Sequence, residues 1–334
     1  MKILSLMTLV FFNSVFAITC PDINLYEKTH LTRNIKNQGD MHTCYAHSLS
    51  ALYESEYQTH INPYWIAYIH KDRLLHWQPH DLNFSLLSWA FNDLKKKGIC
   101  SKNTITENLR SFKASTQYSD DQYFYLVQIY FKKESDPEKL FIYLMNNSKD
   151  FKRAWKKSEV KQLANNIKNS NAKNLFEFLD KNIFRNCEHN SKTLGELTNT
   201  ARGFESNKKL LSIITENLSQ HKALSIGLCP DAAYKYKTKD IKTRPRILKS
   251  VKSKCGAHYV NIVGSRQNNN QCELLIRNSY PGFWAHESLT CLCEKNGITL
   301  NCTKNNFKES DRVLGCWVPS EKVLTNTYDL SFFE

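Results

Sequence analysis

The stretch NQGDMHTCYAHS, residues 37–48, places Gln38 six residues before Cys44, where a helical pattern begins. Apolar side chains recur at the spacing of one helical face, at Ala46, Leu49, Leu52 and Tyr57. A thiol at a helix N-terminus lies near the positive end of the helix dipole and near unsatisfied N–H groups, and both favour the reactive thiolate. The Gln38 amide and the Cys44 N–H can converge as an oxyanion hole. The stretch therefore predicts a cysteine nucleophile.

Two later segments supply partners for this thiol. GAHYVNIVG, residues 256–264, sets His258 at the start of a predicted strand, and LLIRNSYPGFW, residues 274–284, sets Asn278 at the end of the next. A histidine can exchange a proton with the thiol and with a leaving amine. If the two strands are antiparallel neighbours, the Asn278 amide oxygen can fix the orientation of the His258 imidazole.

Composition limits the class of protein. The chain has 334 residues, 41% of them hydrophobic and 23% charged, which excludes a disordered or collagen-like chain and predicts one large domain or two lobes. The 46 Lys and Arg residues exceed the 32 Asp and Glu residues and give a formal charge of +14. That balance favours anionic surfaces as partners. Because no nucleic-acid motif accompanies the charge, we do not expect a nucleic acid.

The first residues and the cysteines predict the compartment. MKILSLMTLVFFNSVFA, residues 1–17, reads as a signal peptide with cleavage after Ala17, so we expect a secreted or periplasmic protein without a membrane span. Lipidation of Cys20 is the weaker alternative. Disulfides are the usual state of cysteine in an oxidising compartment, yet the chain has 11 cysteines. If Cys44 is the free thiol, ten remain for up to five disulfides of open connectivity.

One group of cysteines raises the alternative of a metal site. It consists of Cys291, Cys293, Cys302 and Cys316, whose spacing differs from the paired pattern of structural zinc sites. We therefore expect disulfides here, no metal and no cofactor. Of the other histidines, His42 and His47 flank Cys44, and we interpret them as surface or cleft-rim residues rather than as the base.

The pattern changes along the chain from helix to strand. Helices are predicted at 44–58, after Pro63, before Gly98 and at 208–220; from about 222 short β-like runs follow, so the fold class is α+β. We expect a helical lobe at 18–100, an inserted helical subdomain at 101–205 and a β-rich lobe at 206–334. The insertion contains the basic segment FKRAWKKSEVK, which we interpret as a solvated helix face, with contact to an anionic surface as the alternative.

In order, QGDMHTCYA, GAHYVNIVG and IRNSYPGFW resemble the papain-like cysteine peptidase family, here of a bacterial secreted type with a large insertion. By this resemblance, Gln38 is the oxyanion glutamine, Cys44 the nucleophile, His258 the acid and base, and Asn278 the residue that orients it. The implied fold has two lobes, one helical and one an antiparallel β-barrel-like lobe. The implied function is an exported cysteine endopeptidase that hydrolyses peptide bonds without a cofactor.

The resemblance also implies substrate-cleft residues and partners. Tyr45, Tyr280 and Trp284 stand at aromatic positions of the family's cleft, and the implied partners are a protein or peptide substrate and a proteinaceous cysteine-protease inhibitor. The separation from Cys44 to His258 is 214 residues, against about 130–150 in the family, and the insertion accounts for the surplus. Two alternatives remain open: a catalytically silent papain-fold binding module that uses its basic insertion, and a cell-wall peptide hydrolase.

Overall fold

The structure is a computed structural model. It describes residues 20–29, 31, 35, 38, 43–71, 86–112, 119–147, 155–187, 196–199, 206–228, 258–279, 289–303, 305–307 and 312–334. The proposed leader at 1–17 lies outside these ranges. Within them, no helix combines the length and the apolar character that crossing a membrane requires.

An antiparallel sheet contains strands from the second half of the chain and one short strand, β1, from near its beginning. Its strands are β1 (Ile23–Asn24), β2 (Leu197–Asn199), β3 (Leu224–Leu228), β4 (His258–Asn268), β5 (Gln271–Arg277), β6 (Cys291–Lys295), β7 (Ile298–Cys302), β8 (Arg312–Pro319) and β9 (Thr327–Phe333). The order is β2-β9-β3-β4-β5-β8-β6-β7, and β1 pairs with β4. The expected barrel-like lobe is wrong for the described strands, because the sheet is open and its path ends at β2 and β7.

Helices form most of the described residues up to 187, including the segment 101–205 that the sequence predicts to be an insertion and that is called the insertion below. They are α1 (Leu25–Lys28), α2 (Cys44–Tyr57), α3 (Pro63–Ile69), α4 (Leu87–Lys97), α5 (Lys102–Phe112), α6 (Asp120–Lys132), α7 (Pro137–Asn147), α8 (Lys157–Asn169), α9 (Leu175–Phe178), α10 (Asn207–Ser219) and α11 (Ser320–Thr325). A π-helical turn, Leu179–Ile183, follows α9. Helices together with an antiparallel sheet confirm the α+β class.

The helix boundaries follow local sequence signals. Helix α2 begins at Cys44 as predicted, and α3 begins at Pro63, whose fixed φ suits a first helical position. The Asn62 side chain accepts a hydrogen bond from the Tyr64 N–H at 2.8 Å and so caps α3. Helix α4 ends at Gly98, which adopts a φ of 75° that a side chain would disfavour.

Helix α2 lies across one face of the sheet and is held there by buried polar contacts. The Ser48 and Ser225 hydroxyls are 2.6 Å apart, and the Asn261 side chain donates to the Ser48 carbonyl at 3.1 Å. Farther along α2, the rings of Tyr53 and Phe333 pack edge to face at 6.1 Å. The N-terminus of α2 therefore lies near the beginning of β4, and its C-terminal half lies near the end of β9.

The helices of the insertion pack against the back of α3. Tyr64 stacks on Phe124 of α6 at 4.1 Å, and its hydroxyl donates to Asp121 at 3.1 Å. A disulfide between Cys100 and Cys187 joins the two ends of the segment that contains α5 to α9. Apolar side chains of the insertion, of α3 and of the sheet belong to one hydrophobic core.

The basic segment of the insertion carries its own counter-charges. Lys157 and Lys161 of α8 both pair with Glu138 of α7, the former at 3.0 Å. Lys156 approaches Glu159 at 3.8 Å. These pairs match a solvated helix face more closely than an unneutralised basic patch. Residues 151–154 of the segment lie outside the described ranges.

Four disulfides link the described cysteines other than Cys44, which is a free, buried thiol. They join Cys20 to Cys272, Cys100 to Cys187, Cys291 to Cys316, and Cys293 to Cys302. The predicted disulfide state of the four-cysteine cluster is confirmed, and the pairing of Cys20 replaces the lipidated alternative. Cys229 and Cys255 lie outside the described residues.

Candidate active site

Cys44 begins α2 and lies beside the first residues of β4. The backbone N–H groups of Tyr259, Tyr45 and Cys44 itself favour the charged sulfur and lower the pKa of the thiol. The residue is only 3% exposed, and burial outweighs these donors and raises the pKa from 9.0 to about 11. The helix N-terminus thus acts in the expected direction, but the expectation of a resting thiolate is wrong, because desolvation is the larger effect.

His258 and Asn278 lie together at the ends of neighbouring antiparallel strands. Strand β4 begins at His258, and Asn278 directly follows β5, which pairs with β4 through Asn261 and Arg277. The His258 Nε2 and the Asn278 Oδ1 are 2.7 Å apart. The strand geometry therefore brings these two side chains into the contact that the sequence predicted.

The contact between His258 and Asn278 also defines the histidine tautomer. The backbone N–H of Ser279 donates to Asn278 Oδ1 at 2.8 Å, and since a backbone N–H can only donate, this atom is the amide oxygen. An amide oxygen only accepts, so Nε2 of His258 carries the proton that it shares with Asn278. In the neutral imidazole, Nδ1 is then the basic nitrogen.

Gln38 is held next to the same pair by Ser279. The Gln38 backbone N–H donates to the Ser279 carbonyl at 3.0 Å, and the Ser279 hydroxyl donates to the Gln38 Oε1. Gln38 is 1% exposed, so these contacts hold a buried amide in one orientation. With its oxygen on Ser279, the amide NH₂ group points away from Ser279, as an oxyanion donor requires.

The structure gives no support to the three residues that were expected to line the substrate cleft. Tyr45 is fully buried, with its ring 5.8 Å from that of His70 in an edge contact, so the expectation that it lines a cleft is wrong. The side chain of residue i+1 in a helix points away from the face that carries residue i, which explains its position in the core. Tyr280 and Trp284 lie outside the described residues.

A cavity adjoins the site between α2 and the ends of β4 and β5. Its empty volume is about 400 Å³, part of which is open to solvent, and its lining includes His47, Glu54, Arg277 and Asn278. His47 is buried, and its Nδ1 is 3.0 Å from the Thr43 carbonyl oxygen. Of the two alternatives for His47, burial excludes an exposed surface position, and its place in the cavity lining fits the cleft-rim interpretation.

Two contributions escaped the sequence reasoning. Ser279 contacts both Gln38 and Asn278, and its position directly after Asn278 was the available signal. The Tyr259 N–H reaches the Cys44 sulfur, which required knowledge of how α2 crosses β4. Together the groups comprise a free buried thiol, an oriented imidazole and a fixed amide, which are the kinds of group that acyl transfer uses.

In comparisons with known proteins, similarity was found to solved structures. Neither a family model nor a curated protein matches it. A chain from the structure of digestive procathepsin L 3 of the Tenebrio molitor larval midgut is 9% identical, with 93% of this chain and 69% of that chain covered and a TM-score of 0.41. A chain from a structure on antibody cross-reactivity between the mite allergens Blo t 1 and Der p 1 is 13% identical, with coverages of 93% and 70% and a TM-score of 0.40. Both TM-scores are low.

The raised pKa of Cys44 predicts how stability changes at high pH. The unfolded chain loses its thiol proton first, so the stabilisation from a neutral Cys44 is present below pH 9.0 and is lost as the pH rises through about 11. The free energy of unfolding should therefore fall by about 2–3 kcal/mol more in the native protein than in Cys44→Ala over this window. Denaturant unfolding at pH 8 to 11 measures the difference. Parallel pH dependence in the two proteins would contradict a buried neutral thiol.

Proposed function

We propose that this chain is an exported, papain-like cysteine endopeptidase, with Cys44 as the nucleophile, His258 as the acid and base, Asn278 as its orienting residue and Gln38 as an oxyanion donor. The single observation that carries the proposal is the chain of contacts from Ser279 through Asn278 to His258. It supports a histidine whose imidazole is oriented by Asn278 and whose basic nitrogen is Nδ1.

The raised pKa of Cys44 favours proton transfer during attack over a preformed ion pair. In the proposed reaction, Nδ1 of His258 takes the thiol proton while the sulfur forms a bond to the peptide carbonyl carbon. The Cys44 N–H and the Gln38 NH₂ group stabilise the oxyanion. His258 then protonates the leaving amine as the C–N bond breaks, and a water activated by His258 hydrolyses the acyl-enzyme.

The cysteines support an oxidising compartment for this chemistry. Four disulfides among the described residues are typical of exported proteins, whereas Cys44 is kept apart from them. The proposed leader at 1–17 agrees with export. Protein or peptide substrates follow from the proposed chemistry. The paired lysines of α8 give no specific support to a binding module built on the insertion.

Hydrolysis of unfolded casein by the purified, disulfide-bonded protein under mild reductant tests the proposal. Cys44→Ala should abolish hydrolysis, and His258→Asn should lower kcat by at least about 100-fold, the usual contribution of a positioned acid and base. His221→Asn is the matched control: His221 has a φ of 61°, which asparagine tolerates well, and it lies in a turn after α10. It should leave kcat unchanged.

Three results would overturn the assignment. Casein hydrolysis that survives Cys44→Ala would exclude Cys44 as the nucleophile. Hydrolysis of purified peptidoglycan without hydrolysis of casein would favour the cell-wall alternative. A protein inactive on both, whose Cys44 also resists an active-site-directed electrophile, would favour the binding module.

Ser279 offers a second test, because its hydroxyl anchors Gln38. Ser279→Ala should lower the free energy of unfolding by about 1 kcal/mol, as for one buried hydrogen bond, and should also lower kcat about tenfold through a loosened oxyanion donor. Ser50→Ala is the control, since Ser50 is equally buried and donates to the Ile61 carbonyl away from Gln38. Equal kcat values in the two variants would contradict the anchoring role.

A further inference from the structure

A bulge in the last strand sets Tyr328 out of the regular pairing. Strand β9 pairs with β3 so that Asp329 lies opposite Gly227 and Thr327 lies opposite Leu228, which leaves Tyr328 as an extra residue between them. Bulges are over-represented beside active sites, where they redirect a side chain. Here the redirected side chain belongs to the sheet face on which α2 lies.

The strand opposite the bulge accommodates the Tyr328 ring. A Cβ atom at Gly227 would lie 2.5 Å from the ring's Cε2 and 2.8 Å from its Cζ, closer than carbon atoms approach. The ring of Tyr259 packs edge to face on the Tyr328 ring, with centroids 5.9 Å apart. The Ser225 hydroxyl, on the same face of β3 as position 227, contacts Ser48, which lies one turn after Cys44 in α2, so the phenol lies on the sheet face that carries the thiol.

The Tyr328 hydroxyl is a buried hydrogen-bond donor that is unsatisfied among the described residues of the resting structure. Tyr328 is 1% exposed, and its hydroxyl has no hydrogen-bond partner among the described residues. An unpartnered buried hydroxyl costs stability. Burial, and then negative charge on Cys44 and Asp329, raise the pKa of Tyr328 well above its ordinary value. The phenol is thus electrostatically coupled to the thiol and keeps its proton.

We propose that the Tyr328 hydroxyl is a further hydrogen-bond donor of the site, which donates to the Cys44 sulfur when that sulfur becomes negatively charged. In the resting structure no acceptor among the described residues, the Cys44 sulfur included, lies within hydrogen-bond geometry of this hydroxyl. Because a thiolate is a far stronger acceptor than a neutral thiol, the negative charge that develops on the sulfur during attack draws the hydroxyl into the bond. The inference rests on the proposed function for its role in catalysis, but the hydrogen bond can be tested without peptide hydrolysis.

The matched variants are Tyr328→Phe and Tyr123→Phe. Phenylalanine keeps the ring contacts of Tyr328 with Gly227 and Tyr259 and removes only the hydroxyl. Tyr123 of α6 is also fully buried with an unpartnered hydroxyl among the described residues, but it belongs to the insertion. Both variants should unfold at the same temperature as the native protein or higher, because each loses an unsatisfied polar group.

The measurement is the rate at which iodoacetamide alkylates Cys44 in the folded, disulfide-bonded chain between pH 6 and 9, with the product mapped by mass spectrometry. Loss of a charge-assisted hydrogen bond should reduce the thiolate fraction about tenfold in Tyr328→Phe. The remaining thiolate is more nucleophilic, so alkylation should slow about threefold. The other titratable groups around the thiol and phenol, His258, Tyr259 and Asp329, are unchanged in both variants.

An alkylation rate in Tyr328→Phe equal to that of Tyr123→Phe would overturn the inference. A clear loss of thermal stability in Tyr328→Phe would also overturn it, because the hydroxyl would then have a partner other than the thiolate. The outcome is separable from the proposed function: slowed alkylation with no casein hydrolysis would uphold the donor and reject the peptidase. Casein hydrolysis with an unchanged alkylation rate in Tyr328→Phe would uphold the peptidase and reject the donor.

Discussion

The packing of the α2 N-terminus on strand β4 is the contact on which the candidate site depends. The Ser48 hydroxyl is hydrogen-bonded to the Ser225 hydroxyl, and the Asn261 side chain donates to the Ser48 carbonyl. These two contacts fix the position of α2 along the sheet. That position puts the Cys44 sulfur on the Tyr259 N–H, one residue from His258. A shift of α2 by one turn, about 5.4 Å, would separate the thiol from every other group of the site.

The environment of Cys44 combines two opposed effects. Three backbone N–H groups favour the charged sulfur, while nearly complete burial disfavours it more strongly. The thiol is therefore neutral at rest, and its ionisation depends on a base at the right distance and on donors that respond to the new charge. His258, oriented by Asn278, supplies the first requirement in the proposed mechanism, and Tyr328 supplies the second in the proposed extension. Because the thiolate is the reactive form, such an arrangement limits unwanted reactions of the free thiol.

Local patterns predicted the elements that depend on neighbours in sequence. The apolar stripe after Cys44 and Gly98 at the end of α4 could each be read directly from the sequence. Helix α6 was missed although Ser119 and Gln122 form a capping box at its start. Strand β9 was missed because nearly all its side chains are buried, which removes the alternation that identifies a strand.

The candidate site also combines local features, which the sequence predicted, with non-local features, which it did not. The residue types and order of Gln38, Cys44, His258 and Asn278 were readable, since each belongs to a local motif. Three other features could not be read from the sequence, because each arises where segments far apart in sequence meet. They are the effect of burial on the Cys44 pKa, the anchoring of Gln38 by Ser279 and the redirected side chain of Tyr328. Disulfide partners such as Cys20 and Cys272, 252 residues apart, belong to the same class of non-local information.

Labelling of the folded protein with an epoxide directed at active-site thiols tests the central claim most directly, namely that Cys44 and His258 act as one reactive unit. At neutral pH we expect a single label, mapped to Cys44, and a strong loss of labelling in His258→Asn, whereas His221→Asn should be labelled as fast as the native chain. Cys44 labelled at the same rate in His258→Asn and in the native protein would contradict the account, as would a Cys44 that accepts no label while the folded chain remains intact.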